Sequence, residues 1–258
     1  MVKMKKIKLI IVTISILLIS MSNLVSGTPS TQIWISSTDF QKFKTFHLGL
    51  DNYFRLKNQA YQSRGAGIFD GGLTAGILPF KKVQAEAGID YLYMGDGIYD
   101  NSPVYFNMKA GTPESSLFKG SPAVAFGVYN LGTKSNLTNY NVVYALIAKT
   151  IPVIGRVSAG YYSGNKKLLV DENGNKSNSG LLLSLDRSMT EISDKLWMAI
   201  DYQGGKNYLG ALNLGFSWSF SSNTSVIFAY DIYNNNKVLY NSKDKNLNSL
   251  TIQLDINF

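Results

Sequence analysis

The sequence predicts an all-β fold, a transmembrane antiparallel up-and-down β-barrel of about twelve strands, and three observations carry that reading. Downstream of the N-terminal region, apolar residues recur with period two in segments of about ten residues, separated by Gly, Asn, Asp, Ser and Pro clusters. The opposite faces of these segments hold Gly, Ser, Thr, Asn and isolated charges, where a soluble sheet would carry a solvating Lys/Glu mixture. Aromatic residues also gather near segment ends, with Phe46, Trp218, Phe220 and Phe258 towards one rim. Phe54, Tyr91, Tyr93, Tyr202 and Tyr230 lie towards the other, as rings do where lipid meets water.

Composition narrows the function classes. The 258 residues are 45% hydrophobic, 12% aromatic and only 16% charged, which excludes disorder and collagen-like repeats. The absence of Cys rules out disulfide frameworks, cysteine nucleophiles and thiolate metal sites, and a single His leaves no His-rich metal site. No cofactor and no metal are expected.

The elements follow in chain order. Lys3, Lys5, Lys6 and Lys8 form a basic start, residues 9–21 an apolar core, and Val25-Ser26-Gly27 a small-residue end, so residues 1–27 read as an export signal cleaved after Gly27. An uncleaved anchor is the alternative, because residues 9–25 reach only the lower length limit of a spanning helix. Removing four Lys and no acid lowers the formal charge from +8 to +4, so the basicity gives no ground for nucleic-acid binding. Residues 28–44 (TPSTQIWISSTDFQKFK) alternate too irregularly at 32–35 for a regular strand. They read first as a periplasmic lead, with a lumen plug or an added strand as alternatives.

The barrel itself is expected over residues 45–258, with strands at 45–54, 68–78, 82–93, 103–111, 122–131 and 141–151 in the first half. The second half places them at 154–163, 179–187, 195–203, 208–220, 224–233 and 248–258. Compact connections such as 79–82, 151–153 and 221–223 fall on one side, and long polar ones such as 163–178 and 234–247 on the other, the asymmetry of outer-membrane barrels. Two connections fit less well, 112–121 being long for its side and QGGKN short for the other, so ten to fourteen strands are allowed. Lipid offers the backbone no hydrogen-bond partner, so the first and last strands must pair and leave no edge.

The final LTIQLDINF places Leu250, Ile252, Leu254, Ile256 and Phe258 on one face, and FSWSFSSNTSVIFAYDIYN before it reads as strand, Ser/Asn turn and strand. Together they resemble the C-terminal assembly signal of bacterial outer-membrane β-barrel proteins. The resemblance implies a place in the outer membrane of a Gram-negative envelope, with membrane lipid and the barrel-assembly machinery as partners. It identifies a superclass rather than a transport family.

With the non-aromatic, polar face assigned to the interior, His47, Asp51, Asp70, Glu86, Asp90, Lys109, Lys149, Arg156, Asp186, Asp201, Asp231 and Asp255 line the lumen. Carboxylates dominate, and rings of carboxylates concentrate cations. The excess basic residues fall mainly in loops, among them Lys57, Arg64, Lys166, Lys167, Lys237, Lys243 and Lys245. Salt-bridged packing of a small filled barrel is the competing account of the same acids. His47 and Asp51 share a face, but at about 3.3 Å per residue their Cα atoms stand roughly 13 Å apart, so Asp255 on the closing strand is the better-placed carboxylate. VDENGNK (170–176) lacks the terminal Glu of a calcium loop and reads as a turn at Asn173-Gly174.

The expected function is a small porin-like channel for small solutes, cations among them, without enzymatic activity. A non-conducting structural or export-accessory barrel is the alternative. A lipid-modifying enzyme built on His47 ranks third, since that residue falls near the periplasmic end of its strand.

Overall fold

The computed structural model describes residues 30–56, 67–95, 97–238 and 247–258. The export signal, its cleavage site at Gly27, Lys57, Arg64, Lys243 and Lys245 lie outside them. Among the described residues there are twelve strands. The first six are β1 (Phe46–Arg55), β2 (Ile68–Gly76), β3 (Gln84–Tyr93), β4 (Val104–Thr112), β5 (Ala123–Gly132) and β6 (Asn139–Ile151). The others are β7 (Gly155–Ser163), β8 (Ser179–Ser188), β9 (Leu196–Gln203), β10 (Ala211–Ser219), β11 (Thr224–Tyr233) and β12 (Ser249–Asn257). Each coincides with one expected segment. The largest difference is at β10, which starts at Ala211 because the Asn207 side chain accepts the Leu209 amide at 2.8 Å and holds the preceding residues in a turn.

Every strand pairs antiparallel with its sequence neighbours, and the sheet closes where β1 meets β12. That seam runs in continuous register from His47↔Asn257 to Arg55↔Ser249. Beyond it, Phe46 N–H donates to Phe258 O at 2.6 Å and Phe258 N–H to Phe46 O at 2.9 Å. Closure leaves no strand edge, which is the condition for crossing hydrocarbon with β-structure. Bulges interrupt the ladder between Phe106 and Met108 on β4 and between Tyr129 and Leu131 on β5, where Asn130 takes φ 53°.

Period two decides which side chains point out of the barrel. Leu73, Ile89, Phe106, Phe126, Ile147, Leu181, Ile200, Phe216, Phe228 and Ile252 all point outward and are exposed. An outward apolar belt of this kind is costly in water and is compatible with a hydrocarbon surround. The interior differs from the expectation of a non-aromatic face: Tyr105, Tyr140, Tyr144 and Tyr162 point inward and are buried. These rings are inside because there is something apolar inside for them to pack against.

That something is the segment ahead of β1. Residues 30–42 enter from the short-turn end and lie within the barrel, where the first expectation put them beyond it. Thr31 and Ser36 form an antiparallel bridge, Gln32 N–H donates to Ile35 O at 2.8 Å and Ser37 N–H to Ser30 O at 3.1 Å, which makes residues 30–37 a tight hairpin. Ile35 and Phe40 join Tyr105, Ala125, Tyr140, Val142, Tyr144, Leu146, Tyr162 and Leu182 in one cluster. Ile33 packs separately against Trp197, Ala199, Ile227 and Ala229. The chain passes the rim at Gly76, where Phe43 forms a parallel bridge. Any Cβ on Gly76 would sit 2.0 Å from Lys42 O, so glycine is what admits the chain there.

Candidate functional site: the carboxylate-lined lumen

The hairpin is tied to the wall by polar contacts at every level. At its tip, the amides of Ile33 and Trp34 donate to Asp201 Oδ2 at 2.9 and 2.8 Å, with Ile35 N–H at 3.4 Å, and Asn213 Nδ2 donates to Oδ1 at 2.6 Å. Trp34 Nε1 donates to Leu209 O at 3.0 Å, and Gln253 Nε2 to Ile33 O at 2.8 Å. At its base, Lys109 Nζ donates to the carbonyls of Ser30 and Ser37 at 3.1 and 3.3 Å. The same ammonium pairs with Glu86 Oε1 at 3.1 Å, while Glu86 Oε2 accepts the Gln41 amide at 2.7 Å. Arg156 holds Asp186 through Nε and Nη2 at 3.0 and 3.1 Å and reaches Asp39 of the entering chain through Nη1 at 2.5 Å.

These anchors sort the expected lumen residues by job. Glu86, Lys109, Arg156, Asp186 and Asp201 are all inward-facing, and all are occupied with the entering segment or with one another. Asp186 also accepts Trp197 Nε1 at 3.2 Å, and Asp231 accepts Ser249 Oγ at 2.7 Å. His47 Nε2 lies 3.3 Å from Asp255 Oδ1 and its Nδ1 3.2 Å from Asn257 Oδ1, so both ring nitrogens are directed at side chains of β12 and not at a hydroxyl. The seam register brings Asp255 to His47, whereas Asp51 stays four residues up the strand.

Lys149 corrects the expectation. On β6 the inward residues are Tyr140, Val142, Tyr144, Leu146 and Ala148, so Lys149 shares the outward face with Val143 and Ile147. It sits at the short-turn end, paired with Glu114 Oε1 at 2.8 Å. Glu114 also accepts the Thr150 hydroxyl at 2.6 Å and the Thr150 amide at 3.1 Å. Against a small desolvation cost, Lys149 and Thr150 together hold the Glu114 carboxyl below its ordinary value. The mistake has a physical origin: β6 is apolar on both faces because its inner one packs on the hairpin, and alternation then gives no way to choose.

Among the described residues, a space that the hairpin does not fill borders β1–β4 and reaches Tyr129, Tyr144 and Tyr233. It is a cavity of ≈ 220 Å³, lined by Asp51, Asp70, Asp90, Asn107 and Asp255 on the wall and by Ile33, Trp34 and Ser36 on the hairpin. Asp51 and Asp70 are direct cross-strand partners, and Asp90, opposite Gly72, accepts Asn107 Nδ2 at 2.6 Å. Asp51, Asp70 and Asp90 thus share the opening with two ion-paired groups, Glu86 with Lys109 and Asp255 with His47. Trp34, Asp39, Asn213 and Gln253 were not singled out from sequence. The available signal was Ile33-Trp34-Ile35, a short apolar and aromatic run too brief to cross a membrane and so in need of burial elsewhere.

No protein-family model matches the sequence, and no curated protein matches it. Among solved structures the chain is similar to the KdgM porin, with a TM-score of 0.51 and 8% identity over 82% of this chain and 98% of that one. It is similar to the same porin in complex with disordered oligogalacturonate, with a TM-score of 0.50, 8% identity and the same coverage of both chains. A third similarity is to the COG4313 outer membrane channel from Pseudomonas putida F1, with a TM-score of 0.46 and 9% identity over 83% of this chain and 94% of that one. The fold is thus that of the outer-membrane β-barrels, in its twelve-stranded, porin-like form.

Proposed function

We propose that this protein is a porin-like channel of the outer membrane that favours small cationic solutes and whose lumen is narrowed by its own N-terminal segment. One observation carries the reading. The open part of the lumen runs along β1–β3, where Asp51, Asp70 and Asp90 face it, and with Glu86 and Asp255 they make five lining carboxylates against two lining bases, Lys109 and His47. Carboxylates at a constriction raise the local cation concentration. The oligogalacturonate bound to the structural neighbour is a polyanion, and an acid-lined passage of this kind would repel it, so that ligand is not carried over.

The test is the reversal potential of the purified chain in a planar bilayer under a KCl gradient. A cation-selective sign that weakens in Asp51→Asn/Asp70→Asn supports the reading; anion selectivity or no selectivity removes it. The hairpin's dense packing favours a second reading, a non-conducting barrel with a structural role, and a silent bilayer with folded protein would select it.

A further inference from the structure

The wall of the cavity is bare where it matters. Gly49 and Gly72 are direct partners on β1 and β2 and both line the cavity, so this stretch of wall projects no side chain into it. A Cβ on Gly72 would meet Asp90 Oδ1 at 2.6 Å, so the missing side chain is also what makes room for that carboxylate. One inward position along, Asp51 and Asp70 stand opposite each other, with Cβ atoms about 4.5–5.5 Å apart as direct partners are. Oδ1 of Asp70 is buried and has no hydrogen-bond partner, and neither does Oδ2 of Asp255, a residue only 4% exposed that lines the same space. Aromatic rings border the same space, Trp34 from the hairpin and Tyr53 from β1 beside Asp51. Trp34 meets Tyr53 and Tyr233 edge to face, with ring centroids 5.3 and 5.8 Å away.

Buried carboxylate oxygens with nothing to accept from, in a small space bordered by aromatic rings, favour a donor that carries positive charge on an apolar body. Among the described residues no group of three or more His, Cys, Asp and Glu is placed to hold a metal ion. The ≈ 220 Å³ volume is below the ~300 Å³ at which drug-sized sites begin, so the occupant is small.

We propose that this cavity binds a small organic cation, with a primary ammonium held by Asp70 and Asp51 and an aromatic or short aliphatic body against Trp34 and Tyr53. The inference rests on the channel reading above, whose solute class it names. The test is calorimetric titration of the purified full chain in detergent micelles with phenethylammonium chloride, its neutral counterpart 2-phenylethanol, and ammonium chloride alone.

Saturable binding of phenethylammonium is expected, weakened at least tenfold in Asp70→Asn and in Asp51→Asn, each shown to be folded by its heat-modifiable migration on gels. The alcohol and ammonium alone are expected not to saturate. Equal affinity for the alcohol, saturation by ammonium alone, or unchanged binding in both folded variants overturns the proposal. Bilayer recordings on the same preparation separate the two readings: binding with a silent bilayer keeps this site and removes the channel, and conductance without binding removes only the site.

Discussion

The backbone amide of Trp34 donates to Asp201 Oδ2 at 2.8 Å across 167 residues of sequence. Because Ile33 N–H reaches the same oxygen, one carboxylate on β9 fixes the tip of the hairpin against the inner wall of the barrel. Hydrogen bonds to a charged group contribute about 1.5–3 kcal/mol net, and their loss here would also leave buried amides without partners. Asp201→Ala is therefore expected to release the tip and raise unitary conductance severalfold in planar-bilayer recordings. Wild-type conductance in a folded variant would mean that the hairpin does not limit the passage.

Lys109 anchors the other end of the hairpin and neutralises Glu86, both side chains being 3% exposed. Lys109→Met leaves Glu86 buried and uncompensated, a change that costs roughly 3–5 kcal/mol when one member of a buried pair is removed. Lys109→Met/Glu86→Gln removes both charges and is expected to regain a large part of that loss. Urea unfolding in lipid vesicles, followed by tryptophan fluorescence, compares the two. Equal midpoints for the single and double variants would contradict a mutually compensated pair.

How far the sequence could be read follows from what faces each strand. On β12, Leu250, Ile252, Leu254 and Ile256 point outward while Thr251, Gln253 and Asp255 face the lumen, so alternation is clean and the strand is legible in the sequence. Closure through β1 followed from the need to leave no edge. On β6, Tyr144 and Leu146 face the hairpin while Val143 and Ile147 point outward; both faces are apolar, so alternation alone does not place Lys149 on its outward side. The hairpin was the hardest part to foresee. Its conformation depends on Asp201, Lys109 and Gln253, three distant residues whose polar groups satisfy a backbone that has little regular pairing of its own.

The seam offers a test of assembly. Phe46 and Phe258 stack with ring centroids 5.8 Å apart at an interplanar angle of 23°, side by side on the outward face where β1 meets β12. An aromatic pair contributes about 0.5–1.5 kcal/mol beyond area burial. Phe258→Ala is expected to cost about that much in equilibrium stability, and, if Phe258 is also read by the insertion machinery, to slow insertion in cells far more than in pure lipid vesicles. The two insertion rates, each relative to wild type, are the measurement. An equal small effect in both settings leaves Phe258 with a packing role alone.

The Glu114–Lys149 contact sets a pH dependence of known sign at the short-turn end. The folded protein holds the Glu114 carboxyl below its ordinary value of 4.5, so the group binds a proton less readily folded than unfolded. Its contribution is therefore fully present above the unfolded value and is lost as pH falls through the lower folded one. The Lys149 and Glu114 side chains are 43% and 26% exposed, which limits the contribution to about 0.2–1 kcal/mol and makes it sensitive to salt. Comparing urea midpoints of wild type and Glu114→Gln should show a wild-type advantage at neutral pH that shrinks below about pH 4.5 and also shrinks in 1 M salt. An advantage that persisted unchanged at pH 3 would have to come from the Thr150 contacts and not from the charge.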